Sequence, residues 1–476
     1  MSREDAKMKL KVLFLLLLLG AVSAQAQNAS DDDTRTAVPQ INQPLVPEAA
    51  TPGSSAFELT VNGVGFVPKS TVRWNGKRLT TRFVSSTKLK ATIGSGRLAS
   101  ASTASVTVFS PGGGTSNIDF LQVTNPSSAT FSFSTYAPND FTQRLAAVDL
   151  NRDGKLDLVR TLPLLNEISV ELGMGGGTFA PPVYYPTPSG GPNDLMVRDF
   201  NGDGNLDVAV NCMGVVAVLL GTSGGILKPY KTSAIDTGVG TFGIAAGDFN
   251  RDGKLDLVVG YQTGNVVTVL LGKCDGTFNP PIDLTAGDQA AAVAVADLNG
   301  DGNLDIVAAN FGQFAGNTVS VMLGNGNGTF QQQQQYTTAS GALGVIAADF
   351  DGDGIPDLAV DCACGNGGCG YPGDVSILIG NGNGTFQGRT DYDVYGFPYT
   401  VSSGDYNGDG NLDLLVTSLD FSQVSVLLGD GHGGFALANA FYTGPSPVGI
   451  APGDFDGNGL LDTVIGTAGG YTLLMQ

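Results

Sequence analysis

The chain has 476 residues, a length that as a prior holds two to four domains. Glycine is abundant at 69 residues, charged residues are only 14%, and the formal net charge is −20. Nucleic acid and anionic membrane surfaces are thereby excluded as main partners, because both need a basic footprint, and a single histidine argues against His-based zinc sites and Ser-His-Asp chemistry.

The first segment reads as an export signal. Arg3, Lys7, Lys9 and Lys11 precede an apolar run from Val12 to Leu19, and small residues follow at Ala21–Ala26. This pattern predicts a signal peptide over 1–26, cleaved after Ala24 or Ala26. The apolar run is too short for the ~20 residues of a bilayer span. The mature protein is therefore expected outside the cell or at its surface, without a membrane span. Residues 27–40 are polar and aperiodic, the pattern of a flexible linker.

From 41 to 125 the apolar residues alternate. Phe57, Leu59 and Val61 face one way and Glu58, Thr60 and Asn62 the other; Val72 and Trp74 flank Arg73; Leu89, Ala91 and Ile93 repeat the pattern. Asn75-Gly76 supplies a two-residue hairpin turn. About seven short alternating strands predict a small β-sandwich. The run Phe57–Phe66 with Trp74-Asn75-Gly76 resembles the immunoglobulin-like IPT/TIG domains, without the Cys…Cys pair of antibody domains. Trp74 is expected in the core or packed on the turn.

The remainder, 131–476, writes one motif seven times. Each copy is a nine-residue loop with oxygen donors at positions 1, 3, 5 and 9, glycine at 6, and a backbone carbonyl available at 7. The candidate ligands are Asp149, Asn151, Asp153, Lys155 and Asp157 in loop 1; Asp199, Asn201, Asp203, Asn205 and Asp207 in loop 2; and Asp248, Asn250, Asp252, Lys254 and Asp256 in loop 3. Loop 4 offers Asp297, Asn299, Asp301, Asn303 and Asp305, and loop 5 Asp349, Asp351, Asp353, Ile355 and Asp357. Loop 6 offers Asp405, Asn407, Asp409, Asn411 and Asp413, and loop 7 Asp454, Asp456, Asn458, Leu460 and Asp462. Lys155, Lys254, Ile355 and Leu460 enter through their carbonyls alone.

Hard oxygen donors in this number and charge suit calcium. An EF-hand is excluded, because its position 12 is a bidentate glutamate on a helix. Here that position is Arg160, Val210, Val259, Ala308, Val360, Val416 or Ile465, within strand-like runs. The seven loops hold 22 aspartates, half of the 44 acidic residues. Two carboxylates about 4 Å apart repel by about 4 kcal/mol at an effective dielectric of ~20, which argues for a cation in each loop. Up to seven calcium ions, one per repeat, are expected. Asn458 at position 5 marks loop 7 as the weakest site.

A second motif lies between the loops, as in Leu323-Gly-Asn-Gly-Asn-Gly-Thr-Phe330 and Ile379-Gly-Asn-Gly-Asn-Gly-Thr-Phe386. It joins strands rather than opening a helix, so it is no phosphate cradle. Four strands per ~49 residues, repeated seven times, is the arithmetic of a β-propeller of four-stranded blades. The last repeat stops at its third strand, and 131–136 can supply the missing fourth. The expected fold class is thus all-β: a seven-bladed propeller preceded by a small immunoglobulin-like β-sandwich.

These residues resemble FG-GAP/VCBS repeats, the calcium-bearing blades of integrin α-subunit heads and of many secreted bacterial proteins. The resemblance implies that ligands contact the face opposite the aspartate loops. Candidate aromatics there are Tyr261, Phe311, Phe314, Tyr371, Phe397, Tyr399 and Phe421. The expected function is non-catalytic recognition or adhesion, with a glycan or protein as partner. A lyase-like enzyme on polysaccharide is the alternative, weakened by the scarcity of bases. Of five cysteines, Cys369 is expected to pair with Cys362 or Cys364.

Overall fold

The computed structural model describes residues 36–41, 45–47, 49–136, 140–235, 240–365 and 373–476. The expected signal peptide over 1–26, Tyr371 and Cys369 lie outside them. Strands dominate, and the only helices among the described residues are two short 3-10 turns. No helix there is long and apolar enough to cross a membrane.

The N-terminal part is a pair of sheets. One orders Gln40–Ile41, Phe57–Val64, Lys88–Ile93 and Thr81–Ser85; the other orders Ala49–Ala50, Asp119–Val123, Ser102–Ser110, Thr71–Trp74 and Lys77–Arg78. The alternating residues point between them: Leu59, Val61, Val72, Trp74, Leu89, Ile93, Val106 and Leu121 form one core. Burying each such side chain contributes roughly 1.5–3 kcal/mol. Trp74 is 5% exposed, a core residue. Asn75 and Gly76 have φ of 47° and 72°, and Trp74 pairs with Lys77, as a two-residue turn of this hand requires.

The polar stretch 27–40 is not a tether throughout. Val38 and Gln40 are each 8% exposed, and Gln40 pairs with Val64. Val38 packs into an apolar cluster with Phe200, Leu255 and Tyr261, a single apolar residue that a scan for polarity overlooks.

Seven four-stranded antiparallel sheets follow among the described residues. Sheet 3 is representative: Thr241–Gly247, Asp256–Tyr261, Val266–Leu270 and Ile282–Thr285. Second and third strands are almost wholly buried, while the fourth is exposed, as in Ile282–Thr285. In sheet 7, Gly449–Gly453, Asp462–Thr467 and Gly470–Met475 are joined by Ser132–Tyr136. Each sheet packs its face on the next, and sheet 7 packs on sheet 1 (Leu145–Val148, Asp157–Leu162, Glu167–Glu171 and Val183–Pro186) through Leu145, Leu158, Phe455, Val464 and Leu473. Across that seam Arg160 is fully buried, its Nε 2.8 Å from Glu171 Oε1 and its Nη1 3.1 Å from Asp140 Oδ1. Tyr471 donates to Glu171 Oε2 at 2.7 Å. Arg160 is thus an internal ion-pair residue of the strand Asp157–Leu162.

The glycine-rich turns after the third strand bind several of the sheets to the loop of the preceding one. Gly328, Gly384 and Gly433 donate their N–H to the carbonyls of Phe249, Leu298 and Phe350 at 3.0–3.1 Å. Gly384 sits at φ 79°, and a Cβ there would lie 2.7 Å from Leu323 Cδ2, so only glycine fits. The phenylalanine then packs edge-on against the aromatic at loop position 2: Phe330 on Phe249 at 5.5 Å, Phe435 on Phe350 at 5.6 Å. The Thr-Phe pairs at Phe278, Phe330 and Phe386 precede the fourth strands Ile282–Thr285, Gln334–Thr337 and Thr390–Val394. Phe278, Phe330 and Phe386 close the turn through isolated bridges to Gly272, Gly324 and Gly380, and the strand begins several residues later.

Cys364 is disulfide-bonded, whereas Cys362 is a buried thiol. Of the two candidate partners for Cys369, Cys362 is thereby removed.

Candidate metal centres

Every aspartate loop joins the first strand of a sheet to its second, and the seven loops share one hydrogen-bond pattern. Position 1 accepts the N–H of the glycine at 6 through one carboxylate oxygen: Gly154 to Asp149, Gly204 to Asp199, Gly253 to Asp248 and so on to Gly459 on Asp454, at 2.8–3.1 Å. Those glycines have φ of 78–94°, the left-handed region that the turn demands. Position 3 accepts from the amide at 5, and position 5 from the amide at 7, as in Asp203 N to Asn201 Oδ1 at 2.8 Å and Asn205 N to Asp203 Oδ1 at 2.8 Å. Successive Asx turns therefore curl the loop and bring its side-chain oxygens together.

Position 9 behaves differently. Asp157, Asp207, Asp256, Asp305, Asp357, Asp413 and Asp462 are fully buried. One oxygen takes the amide at position 2 and the other takes an amide at the end of the third strand or just beyond it. For Asp413 these are Tyr406 N and Gly429 N, both at 2.9 Å. This aspartate thus ties three strands together as well as facing the loop.

Burial opposes the charge that this geometry uses. It pushes Asp207, Asp305, Asp357 and Asp462 up to about 7 and Asp413 to about 8, despite the amide donors. Asp248 and Asp405 at position 1 rise to about 6 for the same reason. A cation would reverse that balance. The donor set fits a hard divalent ion, being carboxylate and carboxamide oxygens without sulfur or imidazole. In two loops three carboxylates place oxygens within 4.8 Å of one another: Asp349, Asp351 and Asp353, and Asp454, Asp456 and Asp462. Loop 7 is one of the two because Asp456 supplies a carboxylate at position 3, where loops 1, 2, 3, 4 and 6 carry asparagine. In loop 3 a resident cation intrudes, with Lys254 Nζ 2.9 Å from Asp252 Oδ2.

A sign follows for pH. These carboxyls bind protons more tightly folded than unfolded, since ~3.9 is the free value, so ion-free stability falls as pH rises from about 4 to about 7. In chelator, the melting temperature is expected to be higher at pH 5 than at pH 8, and calcium should flatten the difference. A chelated protein more stable at pH 8 would contradict this reading of the loops.

At the other end of the first strands lies a group that sequence spacing did not reveal. Arg144 Nη1 donates to Thr400 Oγ1 at 3.0 Å and to the Val448 carbonyl, and Nε lies 3.9 Å from Asp194 Oδ1. Its guanidinium sits 5.5 and 5.3 Å from the ring centroids of Phe242 and Tyr399. Phe311, Phe314 and Phe397 continue the aromatic surface, at 4.7 and 5.9 Å between successive rings. Phe314 is 43% exposed at φ 74°, an unusual backbone for a bulky residue, and Phe421 is exposed as well. Tyr261, by contrast, is fully buried with its hydroxyl 2.8 Å from Thr268 Oγ1, and leaves the list of surface aromatics.

Sheets of four antiparallel strands stacked in sequence, each with a glycine-rich aspartate loop at the same end, define a repeat protein of the β-propeller type. The model of the FG-GAP-like repeat matches residues 199–259, 248–308, 304–360, 361–416 and 405–465, more than half of the sequence. The chain belongs to the FG-GAP-like repeat family. No curated protein matches it. Among solved structures, a chain from the crystal structure of BBS1N in complex with ARL6DN, soaked with lead, is similar at 13% identity and a TM-score of 0.51, over 74% of this chain and 98% of that one. An Agrocybe aegerita lectin, described for recognition of non-reducing terminal N-acetylglucosamine, is 20% identical with a TM-score of 0.47, over 78% and 96%. An auxiliary nutrient binding protein from Bacteroides ovatus is 13% identical with a TM-score of 0.38, over 93% and 99%. The likeness to the first is one of fold.

Proposed function

We propose that this chain is a secreted calcium-binding scaffold for recognition or adhesion, without catalytic activity of its own, whose ligand is a glycan or a protein. In this reading the seven sheets are the blades of one closed propeller over 131–476, and the strand Ser132–Tyr136 closes the last blade. The N-terminal sheets form an immunoglobulin-like sandwich, and the export signal is removed. The observation that carries the calcium assignment is the seven-fold recurrence of one prefolded oxygen-lined loop. A bound divalent ion supplies the positive charge that the buried carboxylates lack. Seven such ions would bring the net charge of −20 to about −6.

The ligand is assigned to the opposite face because there Phe314 is held outward in a strained conformation, beside Phe311 and Phe397. A glycan and protein array probed with the full chain tests this. Phe314→Ala is expected to weaken the captured ligand by up to about tenfold, the worth of one aromatic contact. Release of unsaturated product from acidic polysaccharide by the purified protein would instead establish a lyase and refute the non-catalytic assignment.

A further inference from the structure

The N-terminal sheets dock on the aspartate-loop face, and they do so through the proposed metal ligands themselves. Val38 donates its N–H to Asp248 Oδ2 at 2.9 Å, a buried bond between residues 210 apart in the chain. Thr103 donates its N–H to Asp454 Oδ2 at 3.3 Å and its hydroxyl to the Gly459 carbonyl at 3.2 Å. Gln122 Nε2 donates to the Asp405 carbonyl. Val64 packs with Phe249, the position-2 residue of loop 3. The two parts line an open pocket of about 390 Å³, with Gln40, Asn117 and Gln122 on one side and Ser403, Asp405 and Leu461 on the other. Among the described residues, Asp149 and Asp199 take no such donor from the N-terminal sheets.

We infer that the N-terminal sheets are part of two metal centres: the amides of Val38 and Thr103 position the Asp248 and Asp454 carboxylates, so that ion binding at loops 3 and 7 and docking of these sheets strengthen each other. The inference rests on the calcium assignment made above. Its physical basis is that Asp248 Oδ2 holds Gly253 N and Val38 N, both at 2.9 Å, while Oδ1 takes Asp252 N at 3.1 Å, so that the Val38 amide adds to the loop's own amides in fixing the orientation of the carboxylate. Partners that orient a ligand in this way are worth 10–100-fold in metal affinity. Linkage makes the effect reciprocal, so calcium must hold the sheets down by the same factor. Val38 and Thr103 are positioning residues here, not ligands.

The test is amide hydrogen exchange of the full chain, with chelator and with calcium. Slower exchange is expected in loops 248–256 and 454–462 and also at Val38 and Thr103. Protected loops with unchanged or faster Val38 and Thr103 amides would overturn the coupling while leaving the calcium assignment intact. Loops that do not respond would overturn both. A variant isolates the docking. Position 4 of the loop carries arginine at Arg152 (φ 63°) and Arg251 (φ 59°), so the loop accepts that residue. A Cβ at Gly408 would lie 2.6 Å from Thr124 Cγ2, on the docked sheets. Gly408→Arg is therefore expected to lift the sheets, abolish the calcium-induced slowing at Val38 and Thr103, and weaken calcium about tenfold at loops 3 and 7. Gly352→Arg, whose Cβ meets only the Gly431 carbonyl at 3.6 Å, is expected to leave all three unchanged. Equal effects of the two arginines would refute the assignment.

Discussion

Chelation is expected to lower the melting temperature by at least about 10 °C. Calcium sites of extracellular modules have dissociation constants of about 10⁻⁴–10⁻³ M, and free calcium at 100 times that constant stabilises by about 2.7 kcal/mol per site. Each kcal/mol moves the midpoint of a large domain by roughly 2–4 °C, so a few filled loops suffice. The direction follows from the site. Seven fully buried aspartates, among them Asp207 and Asp413, carry charge that burial disfavours, and each sits beside a position-1 carboxylate. Differential scanning calorimetry in chelator and in about 10 mM calcium measures the shift, and elemental analysis counts the ions. An unchanged melt with no bound calcium would remove the metal from this account.

Asp413→Ala is expected to destabilise by about 3–5 kcal/mol even in chelator. The substitution strands two buried amides, Tyr406 N and Gly429 N, each worth about 1–3 kcal/mol when left unpaired. Asp409→Asn in the same loop keeps the oxygen that accepts Asn411 N and should cost under about 1 kcal/mol in chelator, yet forfeit the stabilisation by calcium at that loop. Denaturant melts of both variants under both conditions separate the two roles. Similar losses for the two in chelator would mean that position 9 is no strand tie.

The loops, the repeat and the all-β class were legible because each is a local matter. Glycine at position 6 and aspartates two apart make the Asx turns wherever they stand. Period-two alternation made the buried faces of Phe57–Val64 and Lys88–Ile93 plain. The dual role of position 9 was hidden, since its second partner, such as Gly221 for Asp207, lies a strand further on. Arg144 and Asp194 also escaped notice, because 50 residues separate them and only the stacking of first strands brings them together.

By itself the sequence determined what repeats and which atoms each loop can offer: oxygen donors, a left-handed glycine and flanking strands are set within nine residues. Only the tertiary structure decided which loops are covered, which aromatics face outward, and that the stretch around Val38 is packed. Such outcomes depend on contacts between segments hundreds of residues apart, whose energies are sums over surfaces that no local pattern records.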